Sequence, residues 1–280
     1  MFEELKTKNV TPERKSFQEG NFYEENSQKS VISKRIHSLR EESIVTPATL
    51  SIERALITTA FYKENSGKYS TPMMRALNFM EICEKKTIYI GDNELIVGER
   101  GERPKAVSTF PELTCHSIED LHVLNTREQQ RYTISEDDIE TYRTEVIPFW
   151  EGRTQRERIF NHVPEEWKAA YEAGLFTEFM EQRAPGHTCL DGKIYTKGML
   201  DFKNEIEQEI AKLDFFSDPE ATDKEDQLLA MAVSCDAIIR FAERHAEMAE
   251  EMASKEKNPQ RVDELIQISR VCRRVPAQAP

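Results

Sequence analysis

The run Phe176-Thr177-Glu178-Phe179-Met180-Glu181-Gln182-Arg183-Ala184-Pro185-Gly186-His187-Thr188 holds the residue types best suited to chemistry. Pro185-Gly186 fits the two central positions of a type II turn, which would fix the direction in which His187 points. A histidine held rigidly beside an aromatic is a binding or acid–base element, and such a group contributes on the order of 10²–10⁴ in rate. The plainer reading makes Phe179 a core residue and His187 a cap on a loop carbonyl, and spacing alone favours it. Cys189 follows His187 by two residues, a separation that rarely presents both side chains for nucleophilic catalysis. Cys115-His116 meets the same objection. Glu119 and His122 form one Glu-x-x-His pair; a di-metal carboxylate bundle needs two on facing helices, so this pair reads as a solvated helical turn and no metal is expected. The sequence has no Gly-x-Gly-x-x-Gly, Walker or Gly-x-Ser-x-Gly motif. Its five cysteines, Cys83, Cys115, Cys189, Cys235 and Cys272, form no close pair and read as reduced thiols.

These residues need a scaffold, and the composition supplies one. The 280 residues are 38% hydrophobic, enough for a buried core, and carry 51 acids against 38 bases for a net charge of −13. The acidic balance disfavours nonspecific nucleic-acid binding. No apolar run approaches the roughly 18 residues of a membrane span. Met1-Phe2-Glu3-Glu4-Leu5-Lys6 has no apolar signal core, so a cytoplasmic location is expected.

Periodicity predicts a mainly helical fold with a short β element. Residues 1–30 are polar and read as an arm, with helical patterns from about Val31. Ser51 is a candidate N-cap for a helix through Tyr62. Thr71-Pro72 starts another, with proline in its first turn. Thr87–Ile90 and Glu94–Gly98, joined by Gly91-Asp92-Asn93, read as a β-hairpin or two short strands. Ser135 opens a helix ending near Trp150, and Pro164 opens one ending at Gly174. Further helices span about 197–214, 223–255 and 259–273. In the long one Leu228, Ala232, Cys235, Ile239, Ala242, Ala246, Ala249 and Ala253 form a narrow small-residue seam. The tail from Val275 to Pro280 is expected to pack on nothing.

Several blocks carry a resemblance beyond these patterns: Ser51-Ile52-Glu53-Arg54-Ala55, Asn93-Glu94-Leu95-Ile96-Val97-Gly98 followed by Pro111-Glu112, Ile147-Pro148-Phe149-Trp150, Gly186-His187 and Val275-Pro276-Ala277. From about Arg35 to Pro280 the chain resembles the N-terminal part of glycyl radical enzymes of the pyruvate formate-lyase-like family. Leu39–Ser43, Ala169–Gly174 and the Phe176–Thr188 run are most similar to the dehydratases of that family that act on trans-4-hydroxy-L-proline.

The resemblance implies an α/β barrel wrapped by helices, of which this chain supplies the N-terminal helical portion; residues 31–280 would be an incomplete pyruvate formate-lyase-like domain. It implies a radical dehydration giving 1-pyrroline-5-carboxylate, with Phe179 packed on the substrate ring and His187 near the leaving hydroxyl. It implies a glycyl radical installed by an S-adenosylmethionine and iron–sulfur activating enzyme, and a homodimer in the full-length form. Neither the Gly-Cys-x-Glu setting of the catalytic cysteine nor the Arg-Val-x-Gly-Tyr setting of the radical glycine occurs here. The chain is therefore expected to be a fragment, inactive alone, with an apolar face exposed where a barrel would dock. The alternatives are a portion of another glycyl radical lyase, or a stand-alone helical protein that binds the rest of such an enzyme or its activating enzyme.

Overall fold

The computed structural model describes residues 27–176 and 190–280. Local capping chemistry sets most helix boundaries. The chain enters through α1 (Ser27–Val45), β1 (Thr49–Ser51) and α2 (Glu53–Asn65). α3 (Thr71–Lys85) starts as expected: the Ser70 hydroxyl accepts from the Met73 amide, and Pro72 occupies the first turn where its missing N–H costs nothing. β2 (Ala106–Ser108) follows, then α4 (Ile118–Thr126), whose start is a capping box between Ser117 and Asp120. Ser135 caps α5 (Glu136–Thr141), which passes through a π-helical turn at Tyr142–Val146 into α6 (Ile147–Trp150). Pro148 has no amide hydrogen to donate, so the regular ladder is interrupted just there. α7 (Gln155–Phe160) and α8 (Glu165–Glu172) form a short helical pair, and Gly174 at φ +71° ends the second in the left-handed conformation glycine accepts. Beyond a 3₁₀ turn at Asp191–Tyr195 come α9 (Met199–Ile210), α10 (Ala221–Lys255) and α11 (Pro259–Arg274).

Among the described residues the only sheet is β1 paired parallel to β2, so the fold is mainly helical with a short β element, as expected. The element lies elsewhere than predicted. Residues 87–97 form no strands. Ile90 is buried against Ala249, Leu265 and Ile268, with Ile88 and Val97 packed beside it. The carbonyls of Gly91 and Glu94 accept from the guanidinium of Arg261, both at 2.8 Å, instead of from a neighbouring strand. Ser51 is likewise no N-cap. It sits in β1, and its hydroxyl donates to Glu102 at 2.7 Å, while Ile52 precedes α2 with no side-chain cap.

Three buried clusters organise the described helices. One gathers Leu50, Ala55, Leu121, Ile139, Tyr142, Val146 and Trp150 around the sheet, α2, α4 and the α5–α6 bend. The other two lie along α10, which packs on α3, α9 and α11. Its predicted seam divides along its length. Leu228, Ala232, Cys235 and Ile239 meet Met199, Phe202 and Ile206 of α9, and Ala249 and Ala253 meet Leu265 and Ile268 of α11.

The tail after α11 corrects another expectation, because it does pack. The carbonyls of Pro276 and Ala277 accept from the amides of Met199 and Leu200 at 2.9 and 3.0 Å, capping α9 with backbone. Gly198 permits the approach: a Cβ there would lie 2.3 Å from the Ala277 oxygen. Large apolar side chains are exposed at several places, including Ile96, Leu175, Tyr195 and Phe216. No described helix is long and apolar enough to cross a membrane.

Candidate functional site

Phe179, His187 and Cys189 lie outside the described residues, so the predicted site is approached from its flanks. On the N-terminal side its root is an aromatic cluster built by α7 and α8. Trp167 and Tyr171 are one turn apart on α8 and stack nearly parallel, with ring centroids 5.8 Å apart. Phe160 meets both edge-on at 5.3 and 5.2 Å, and Phe176 closes on Trp167 at 4.8 Å. The Arg156 guanidinium lies 4.2 Å above the Phe160 ring and donates to the Tyr171 hydroxyl at 3.0 Å. The first residue of the Phe176–Thr188 run is thus seated among rings. On the other flank, Leu190 and Asp191 adopt left-handed φ values where the 3₁₀ turn that leads to α9 begins.

The α7–α8 pair is tied to the body through backbone. The amides of Gln155 and Arg156 donate to the carbonyls of Glu112 and Leu113, both at 3.0 Å. Arg54 secures the same strip of chain: its guanidinium bonds both Glu112 oxygens and lies 4.0 Å over Phe110. Arg54 and Pro111-Glu112, two of the family-like blocks, are therefore one bidentate ion pair that fixes the base of α7. Glu157 completes the joint. Burial opposes its ionisation, but bonds from the Thr154 hydroxyl and from the amides of Gly152, Thr154 and Arg153 outweigh that and hold its carboxyl below the usual range.

Between α4, α6 and this pair opens a groove of about 660 Å³, lined by Cys115, His116, Asp120, Arg127, Trp150 and Tyr171 among others. Trp150 on its floor donates to the Thr59 hydroxyl at 2.8 Å, and Thr59 in turn donates to the Ala55 carbonyl. Cys115 and His116 share the groove without forming a nucleophile and base. The Cys115 thiol donates to the Tyr142 hydroxyl at 3.7 Å, and burial pushes it up to about 11. Burial lowers His116, with Asp120 opposing. The thiol is protonated near neutrality and chemically quiet. The sequence offered no signal for the groove, because Cys115, Trp150 and Tyr171 come from three separate segments.

Glu119 and His122 are exposed on α4, and among the described residues no group of three His, Cys, Asp or Glu could hold a metal ion. Cys83, Cys115, Cys235 and Cys272 are free thiols. The described arrangement can seat and orient a segment and line a groove. It contains no nucleophile–base or metal constellation.

Residues 27–280 match the family pattern described as pyruvate formate lyase-like. The chain belongs to that family. Members similar to it include the trans-4-hydroxy-L-proline dehydratase of Clostridioides difficile, 45% identical over 88% of this chain and 31% of the relative. The crystal structure of that dehydratase with trans-4-hydroxy-L-proline bound superposes with a TM-score of 0.84 over the same shares. The isethionate sulfite-lyase of Nitratidesulfovibrio vulgaris is 31% identical over 86% of this chain and 30% of its own length. A glycyl radical enzyme from Archaeoglobus fulgidus is 28% identical, with a TM-score of 0.78 over 88% of this chain and 31% of that one. The resemblance read from the sequence is borne out, and the chain spans about a third of the length of these pyruvate formate lyase-like relatives.

Proposed function

We propose that this chain is the N-terminal portion of a glycyl radical dehydratase that removes water from trans-4-hydroxy-L-proline to give 1-pyrroline-5-carboxylate. The observation that carries the reading is the difference in identity: 45% to the hydroxyproline dehydratase against 31% to the sulfite-lyase over a similar span. In this reading Phe179 covers the pyrrolidine ring, and His187 lies in the polar network at the C4 hydroxyl and helps it depart as water. The radical supplies hydrogen-atom abstraction. The sequence has no setting for its cysteine or glycine, so no radical step is assigned to these residues and the chain alone is expected to be inactive. The assembled enzyme would require an activating enzyme that uses S-adenosylmethionine and an iron–sulfur cluster, and would act as a homodimer.

The test is a chimera in which this chain replaces the matching third of the Clostridioides difficile dehydratase, activated anaerobically. Water loss from trans-4-hydroxy-L-proline is expected once the glycyl radical is detected by electron paramagnetic resonance, and no product is expected from this chain by itself. A chimera that carries the radical but leaves hydroxyproline unchanged, or prefers isethionate, would overturn the reading.

A further inference from the structure

The connection between α9 and α10 presents two phenylalanines to solvent in a fixed geometry. Asp214 organises it. Its Oδ1 accepts from the amides of Phe216 and Ser217 at 2.9 and 3.1 Å, and its Oδ2 from the Ser217 hydroxyl at 2.6 Å. The Asp214 carbonyl accepts from the Asp218 amide at 2.9 Å. With the backbone pinned, Phe215 is 56% exposed and Phe216 fully so. Two adjacent phenyl rings held in water form a contiguous apolar patch of the kind that marks an interaction site.

The surroundings state the partner's charge. Leu213, two residues before Phe215, lines a groove of about 520 Å³ together with Leu228, Glu209, Glu220 and Asp223. Its one lysine, Lys224, is engaged by Asp218 and Glu220. From Glu205 to Asp226 the chain carries nine acids against two lysines. The aliphatic stem of an arginine or lysine fits such a channel, with its head on the acids, and a guanidinium also stacks on an exposed phenyl ring. Charge excludes other occupants. A second copy docked through the same face would set acids against acids, and nucleic acid or anionic lipid would be repelled.

We propose that the α9–α10 knuckle docks a basic segment of another protein, whose apolar side chains cover Phe215 and Phe216 and whose arginine or lysine heads meet Glu209, Glu220 and Asp223. The full chain is titrated against a fluorescein-labelled peptide of alternating arginine and leucine, and against a glutamate–leucine peptide, by fluorescence anisotropy. The arginine peptide is expected to bind with an affinity that falls as salt rises, to protect residues 209–228 from hydrogen exchange, and to leave the glutamate peptide unbound. Phe216→Ser should weaken binding by roughly tenfold or more with the thermal midpoint unchanged, because the ring touches little of its own chain. Glu209→Gln with Glu220→Gln and Asp223→Asn should weaken it and flatten the salt dependence. Equal binding by the Phe216→Ser chain, or protection elsewhere, would overturn the proposal. So would self-association of the native chain that Phe216→Ser abolishes, which would make a second copy the occupant. Burial of position 216 in the chimera, read as resistance of a Phe216→Cys thiol to maleimide, would assign the face to the rest of the polypeptide and overturn it equally.

Discussion

His187 is the residue on which the proposed chemistry turns. If it helps the hydroxyl leave as water, His187→Gln in the activated chimera removes the proton donor while keeping a side chain of similar reach. Turnover of trans-4-hydroxy-L-proline should then fall on the order of 10²-fold or more, with the radical signal intact; turnover at the native rate would remove His187 from the mechanism. Cys115 makes the opposite prediction. Its thiol is pushed up to about 11 by burial and is engaged with the Tyr142 hydroxyl, whereas an unfolded thiol titrates near 8.5. At pH 8 the folded protein should react with iodoacetamide at Cys115 roughly two orders of magnitude more slowly than the urea-unfolded chain, since only the thiolate is nucleophilic. Mass spectrometry of alkylated peptides at timed intervals reads this directly. Labelling at Cys115 as fast in the folded state would show that the pair is not closed.

At the scale of elements, residues 87–97 show what packing adds to propensity. Their β-branched residues and their Gly-Asp-Asn turn are those of a hairpin, but Arg261, 170 residues from Gly91, takes the carbonyls a partner strand would need. Arg261 is buried and is also 3.1 Å from Glu264, which Arg35 of α1 engages from the other side at 2.6 Å. One guanidinium therefore joins the 87–97 segment and α11, and through Glu264 reaches α1. Arg261→Met keeps the stem and removes the fork, leaving two carbonyls without donors. A loss of about 2–4 kcal/mol in urea unfolding is expected, with Arg261→Lys between the two because a single ammonium cannot span both acceptors. A change below about 0.5 kcal/mol would show that water replaces the fork. The same contrast explains how far the sequence could be read. α3, α5 and α8 were legible because Thr71-Pro72, Ser135, and Pro164 with Gly174 act on their own neighbours. The 87–97 segment, the capping of α9 by Pro276 and Ala277, and the place of Ser51 in β1 depend on residues far along the chain. The candidate site divides in the same way: the Phe176–Thr188 run is a local string, whereas the aromatic seat and the groove beneath it come from α4, α6, α7 and α8 together.

For the molecule as a whole, the buried titratable groups fix how stability must change with pH. His245 of α10 is 3% exposed, and its Nδ1–H donates to the Phe241 carbonyl at 2.8 Å. Burial depresses its pKa; the bond to Phe241 opposes this, and the nearby cations Lys86 and Arg244 add to the depression. His116 is depressed by burial as well. Both therefore bind a proton less readily folded than unfolded, where the value is about 6.5. Their contribution is fully present above that pH and is lost as pH falls below it, because the unfolded chain takes up the proton first. A second set of groups acts lower. Glu102, Glu157 and Glu264 are held below the usual carboxylate range, hydrogen bonds outweighing burial in each. Their contribution is present above about 4.3 and is lost as pH falls through their folded values. The urea midpoint should thus be level from about pH 7 to 8, decline gently through 6.5, and fall steeply below about 4.5. Replacing both histidines, His116→Gln and His245→Gln, should lower the midpoint overall but flatten the upper decline and leave the lower one in place. A native midpoint constant from pH 7 to 5 would mean that neither histidine changes its proton affinity on folding, and that the packing of α10 against α3 is indifferent to the charge on His245.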